Sequence, residues 1–410
     1  MVKFASALTV QPNNSARDVT VAIDDVIEQL RAQNMLEASI DFVLIFISTH
    51  FARAANLIAN ELRQTLNPRV MLGCIAEGVI GRDGIDNTDA EIENEPALAV
   101  LAAQLPEVEL KPFTMNAASG NEWDALLGDS LSFRRAIGIT GEVKFVILLA
   151  VPPTPSNDIL MAFDTYYPGV PVIGGIANSG REREQNLLII NDQVEHIGAV
   201  GVAFVGNVQV DTIVSQGCRP VGKVFDVTMA RQNLIFSLDG KPAYEMLQTE
   251  IIKLANKDRK MMQKSGIFVG RAIDPNYDKF GHGDFLIRGV IGVDPNQGAI
   301  AIGDFFQNGD KIQLHVRDAE SAEEDLAMML APQTFYSPAQ GALLFSCNGR
   351  GTRLFDHPNG DISIVQDAVN GVPIAGFFCA GEFGPISGRN FVHGHTACLV
   401  IFRSTNGTYV

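Results

Sequence analysis

One unit is written three times along this chain, and few folds accommodate it. An apolar run of strand character, Phe42-Val43-Leu44-Ile45-Phe46-Ile47, leads through a helical stretch to Arg69-Val70-Met71-Leu72-Gly73-Cys74-Ile75-Ala76-Glu77-Gly78. The second copy runs from Phe145-Val146-Ile147-Leu148-Leu149-Ala150 to Gly169-Val170-Pro171-Val172-Ile173-Gly174-Gly175-Ile176-Ala177-Asn178. The third runs from Ala342-Leu343-Leu344-Phe345-Ser346-Cys347 to Gly371-Val372-Pro373-Ile374-Ala375-Gly376-Phe377-Phe378-Cys379-Ala380-Gly381-Glu382. Each second strand ends in glycines, small residues and one polar group. Main chain approaches a ligand closely only where side chains are absent. The expectation is a duplicated scaffold whose glycine-rich strand ends build a pocket.

Between the repeats the pattern changes. Helical spacing of Val19, Ile23, Val26, Ile27 and Leu30 predicts a helix from about Ala16 to Gln33, and a second helix runs from Phe51 to Leu66. An acidic loop, Asp83 to Glu95, precedes paired strands, and 187–191, 196–205 and 208–216 read as a meander. Pro220-Val221-Gly222 marks a boundary, dividing the chain into 1–219 and 220–410. A helix after Asp239-Gly240-Lys241-Pro242, further strands and an acidic helix, Ala319 to Leu330, follow. Phe391 to Phe402 is apolar and reads as one central strand. Parallel units interspersed with hairpins predict a mixed α/β (α+β) fold: two related domains, mixed sheets flanked by helices, and a shared cleft at the strand ends.

Composition narrows the partners. With 410 residues, 46% hydrophobic and 19% charged, the chain is core-rich. A formal charge of -16 argues against nucleic acid or an anionic membrane, which demand clustered Lys and Arg. No apolar run reaches the ~20 residues of a transmembrane segment. The N-terminus lacks a secretory core, and five irregularly spaced cysteines point to reduced thiols in the cytoplasm.

Several segments, in order, resemble the FIST family, named for F-box and intracellular signal transduction proteins, through both its N-terminal and its C-terminal domain. They are Leu72 to Gly78, Ile173-Gly174-Gly175, Ser215 to Pro220, Leu238 to Ala243, Phe285 to Arg288, Arg317-Asp318-Ala319, Phe345 to Gly351, Ala375 to Pro385 and His393-Gly394-His395-Thr396. The resemblance implies a sensory module for small ligands, amino acids having been suggested, often joined to a signalling domain or an F-box. None accompanies it here, so the expectation is a stand-alone receptor that signals to a separate protein. Some relatives sense nitric oxide through haem, which the resemblance therefore admits as a cofactor.

The residues themselves offer charges at the strand ends. Arg350, in Cys347-Asn348-Gly349-Arg350-Gly351, suits a carboxylate or phosphate gripped by two parallel hydrogen bonds; the alternative is a structural arginine paired inside the protein. Glu382, beside Gly381, is its counterpart for an ammonium group or a proton, unless the two simply bond each other. Glu77 and Asn178 hold similar places in the other repeats, alongside Gly73, Cys74, Gly174 and Gly175. Arg288 follows an apolar strand run, while Asp318 reads as the cap of the helix at Ala319.

Cys347 and Cys379 end neighbouring strands, and His393-x-His395 on a strand would present two imidazoles to one face. Buried cysteine as a small apolar residue is the plainer alternative, and no metal spacing accompanies the set. His282, in Gly281-His282-Gly283-Asp284, is the haem-ligand candidate, with a polar loop as its alternative. Three functions follow: a ligand-binding sensor, favoured by the charged groups among glycines; a Cys/His hydrolase or transferase; and an adaptor for a protein partner. The acidic segments Asp83 to Glu95 and Glu320 to Asp325 read as solvated surface.

Overall fold

The structure is a computed structural model and describes residues 2–139, 141–179, 186–277, 279–281 and 283–403. It is mixed α/β and divides into two compact units. One is built from 1–215 and 326–410, the other from 216–325. The chain thus enters the second unit close to the Pro220-Val221-Gly222 break and later returns to the first.

The first unit holds three sheets of six strands with one plan. In order across each sheet, the first consists of Lys3–Val10, Ala97–Gln104, Phe42–Ser48, Val70–Ala76, Leu188–Ile190 and Gln193–Glu195. The second consists of Val108–Met115, Ala199–Gly206, Val143–Ala150, Val172–Ile176, Glu382–Ile386 and Arg389–His393. The third consists of Gln209–Ser215, Ala397–Arg403, Ala339–Cys347, Ile374–Cys379, Gly78–Arg82 and Asp89–Glu93. At the centre of each lies one parallel pair, the repeated strand–helix–strand unit; the flanking pairs are antiparallel. The closing hairpin of each sheet belongs to another repeat. The first repeat supplies 78–93 to the third sheet, the third supplies 382–393 to the second, and the second supplies 188–195 to the first. The exchange closes a ring.

Alternation along the central strands explains the layers. Phe42, Leu44, Phe46, Phe145, Ile147, Leu149, Leu343 and Phe345 turn into one common core. Their neighbours turn outward: Val43 and Ile45 beneath helices Ala16–Ala32 and Ala55–Leu66, Val146 and Leu148 beneath Ser130–Ile137 and Ser156–Tyr166, and Leu344 beneath Gly360–Val369. Strands apolar on both sides are therefore required, which is why the runs lack charged residues.

Two sequence expectations need correction here. The meander is absent, because 188–195, 199–206 and 209–215 go to three different sheets. Each segment is apolar enough to be buried, and hydropathy alone does not say beside what. The single strand from Phe391 to Phe402 is two strands in two sheets, broken at Gly394 and at His395, whose φ is +62°.

The repeated glycines serve the sheets themselves. A Cβ at Gly73, Gly174 or Gly376 would lie 2.4, 1.9 or 1.7 Å from the carbonyl oxygen of Ile45, Leu148 or Leu344 on the parallel neighbour. Gly174 also has φ +147°, which L side chains rarely adopt. Gly174→Ala is expected to destabilise the protein by about 3 kcal/mol or more, read by chemical denaturation; an unchanged midpoint would contradict the packing.

The second unit is antiparallel. Its strands run Cys218–Arg231, Lys311–Arg317, Phe268–Ala272, Phe285–Asp294, Ala299–Ile302, Leu234–Leu238 and Lys241–Pro242, and the first also pairs with Leu234–Leu238, closing a ring. Helices Ala243–Lys253 and Asn256–Ser265 contribute Leu247 and Met262 to a core with Phe225, Val227 and Leu314. Asp318 caps helix Ala319–Leu330 as expected, its Oδ1 accepting from the Ser321 amide at 2.9 Å.

Candidate functional site

The charged groups of the third repeat form two layers. In the inner one Arg350 is fully buried and held by Asp361, Nε to Oδ2 at 2.8 Å and Nη2 to Oδ1 at 2.6 Å. Its Nη1 donates to the His395 carbonyl at 3.3 Å, and Phe355 lies 5.6 Å beneath the guanidinium. Asp361 also accepts from Ser346 Oγ at 2.7 Å. This is the two-pronged grip anticipated for an external anion, but the carboxylate is internal, and it is Asp361 rather than Glu382.

Two further acids flank this pair. Glu91 comes from the hairpin of the first repeat, and its Oε1 accepts from the amides of Asp361 and Ile362 at 2.9 and 2.8 Å. A carboxyl from a distant repeat thus caps helix Gly360–Val369. The reading of 83–95 as solvated acidic surface therefore fails at Glu91, which is 6% exposed because those amides need an acceptor. Glu382 is fully buried; its Oε2 accepts from the Thr396 amide at 3.2 Å, and the Cys347 thiol adds a hydrogen bond to its carboxyl. Burial pushes both Glu91 and Glu382 up to about 8, with Asp361 adding to the rise at Glu91. Both shifts favour the protonated, uncharged form of these two acids at neutral pH.

The outer layer faces solvent. Arg353 Nη2 meets Glu77 Oε2 at 3.0 Å while Nη1 donates to the Asn348 carbonyl at 2.8 Å. Asn348 Nδ2 donates to Glu77 Oε1 at 3.2 Å and its backbone amide to the Cys379 carbonyl at 2.7 Å, while its Oδ1 lacks a partner among the described residues. Glu93 accepts from the Thr352 amide and hydroxyl at 2.7 and 3.1 Å. Glu77, Gly78, Glu93, Asn94, Asn348, Arg353 and Phe378 line a cleft of about 10 Å3, room for about one water.

Glu77, Asn348 and Gly349 of the expected set thus meet at this end, above Arg350, Glu382 and Cys347; the Gly349 amide donates to Cys347 Sγ at 3.4 Å. Gly175 and Gly381 sit here too, but their open sides face protein: a Cβ on Gly175 would lie 2.5 Å from Cys379 Sγ, and one on Gly381 3.1 Å from Ile176. Asn178 is in the loop after Val172–Ile176. Arg288 belongs to the second unit, where it pairs with Asp304 at 2.9 Å. His393 ends its strand with Nε2 3.0 Å from the Gly384 carbonyl, and His395 lies beyond the break, so the two do not share a strand face. All five cysteines are buried free thiols, and burial pushes Cys74, Cys379 and Cys398 well up, the opposite of nucleophile activation. Among the described residues no group of His, Cys, Asp and Glu is placed to hold a metal. His282 lies outside them.

Sequence reasoning passed over Arg353, Glu93, Asp361 and Glu91. Arg353 had a local signal, three residues after Arg350 in a glycine-rich turn. Asp361 had another, since an acid in the first turn after Asn359-Gly360 marks a helix start. Glu91 had none.

Three mixed sheets exchanging hairpins around one core, with an inserted antiparallel ring and a charged strand-end cleft, define the class of fold. A FIST N domain model matches residues 41–241 and a FIST C domain model residues 243–385. The chain belongs to the FIST family, whose domains are generally sensory modules for small ligands. An uncharacterized protein of Mycobacterium tuberculosis is 36% identical over 363 residues, covering 88% of this chain and 90% of its own. Another, of Mycobacterium bovis, is 37% identical over 390 residues, covering 94% and 96%. Among solved structures, a cyanuric acid hydrolase from A. caulinodans is similar at a TM-score of 0.32 and 10% identity, over 98% of this chain and all of that one. That score says nothing of chemistry. No described helix is long and apolar enough to cross a membrane.

Proposed function

We propose that this chain is an intracellular sensory protein that binds a small carboxylate-bearing ligand, an amino acid foremost, in the strand-end cleft and passes the signal to a separate protein. One observation carries the reading: the Arg353–Glu77 pair joins opposite charges from two repeats at the mouth of the cleft, 57% and 26% exposed. An exposed ion pair is worth at most about 1 kcal/mol, so it opens cheaply, and the cleft, which in its closed form holds about one water, widens as it does. A zwitterion inserted between the two gives its carboxylate to Arg353 and its ammonium to Glu77 and the vacant Asn348 Oδ1. The buried Arg350–Asp361 layer below holds the turn that carries Asn348 and Arg353. Buried free thiols support a reducing compartment.

Thermal denaturation with a panel of amino acids and small carboxylates tests this. The expected result is a shift of several degrees with one chemical class, lost in Arg353→Ala and reduced in Glu77→Gln. No shift with any compound, or equal shifts in the variants, removes the cleft as the site.

A further inference from the structure

A second place on the first unit has the features of a binding site. Helices Gly120–Leu127 and Ser156–Tyr166 enclose an open cavity of about 380 Å3 lined by Trp123, Asp124, Leu127, Gly128, Asp158, Met161, Ala162, Thr165 and Tyr166. That is within the size range of small-molecule sites, roughly 300–1,000 Å3. Its walls are aromatic and aliphatic: Trp123, Leu127 and Tyr166 are only half-buried, and Met161 is 57% exposed. Helix Gly120–Leu127 buries none of its side chains fully, although Trp123, Leu126 and Leu127 all turn toward the core around Phe163. The Tyr166 hydroxyl donates to the Leu127 carbonyl at 3.1 Å and ties the two helices together. A cavity with apolar walls and polar groups among them is thus held open.

Charge selects the occupant. Two carboxylates, Asp124 and Asp158, line the cavity, and among the described residues no basic side chain does. Neither has an ion-pair partner among the described residues. Acid groups that line one cavity with indole and phenol rings suit a cation, which is drawn to ring faces as well as to carboxylates. We infer that this cavity binds an organic amine: a protonated nitrogen on an aromatic or alkyl body, the body on Trp123 and Met161 and the ammonium at Asp124 and Asp158. The site is separate from the strand-end cleft and does not depend on it.

The chain contains a single tryptophan, so its fluorescence reports this cavity alone. Titration with 2-phenylethylamine is expected to give a saturable change in emission, while phenylacetate and ethylamine, lacking the charge or the body, give none. In the Asp124→Asn, Asp158→Asn double variant the affinity falls about tenfold, as expected for two exposed charge contacts, with an unchanged circular dichroism spectrum. An absent or non-saturable response overturns the inference, as does equal binding of phenylacetate or undiminished affinity in the double variant. A response only to a basic amphipathic peptide also overturns it, and makes the groove a protein-docking surface instead.

Discussion

Arg350→Ala is expected to lower the stability of the protein by about 3–5 kcal/mol, as read by urea denaturation followed by circular dichroism. Arg350 and Asp361 are both wholly out of solvent, and the guanidinium uses two of its nitrogens on the two carboxylate oxygens. Removing the cation leaves a buried anion beside two further carboxyl groups. The Ser346 hydroxyl and the cap supplied by Glu91 then lose their anchor in turn. Replacing both partners by apolar residues of similar size, Arg350→Met with Asp361→Leu, is expected to recover much of the loss, because no charge is stranded. A single variant as stable as the wild type would show that the pair is not internal to the fold.

The second large effect is one of pH. Glu91 and Glu382 are held near 8 in the native state against an ordinary 4.5. Between those limits the native protein binds protons that the unfolded chain has released, so stability falls as pH rises. Each group contributes a slope of up to about 1.4 kcal/mol per pH unit, steepest through pH 5–7. Below pH 4.5 both states are protonated and this contribution to the slope vanishes. Glutamine mimics the protonated acid, so Glu382→Gln and Glu91→Gln are each expected to flatten the profile and to raise stability at pH 7.5 by roughly 2–4 kcal/mol. Denaturation midpoints across pH 5–8 check this, and parallel profiles for wild type and variants would contradict it.

The repeats were legible because a strand buried on both faces leaves an apolar run, and each second strand carries a glycine that a neighbouring carbonyl demands. What stayed hidden was pairing at a distance. Nothing around Asp83 to Glu95 says that Glu91 will meet helix amides some 270 positions on, since an acid needs a partner to be buried and sequence does not name partners. For the same reason Arg350 and Glu382, drawn together by their glycines, gave no hint of Asp361. A hairpin reads the same whether it closes its own sheet or another, so the exchange among the three sheets left no mark either. Within the turn the two arginines part: Arg350 points inward to Asp361 and Arg353 outward to Glu77.

Native mass spectrometry of the protein, incubated with the amino-acid and carboxylate panel, tests the outward arginine most directly. A one-to-one adduct is predicted that Arg353→Ala loses and Arg288→Ala, in the second unit, retains. An adduct undiminished in Arg353→Ala, or none from any compound, would contradict a ligand site between Arg353 and Glu77.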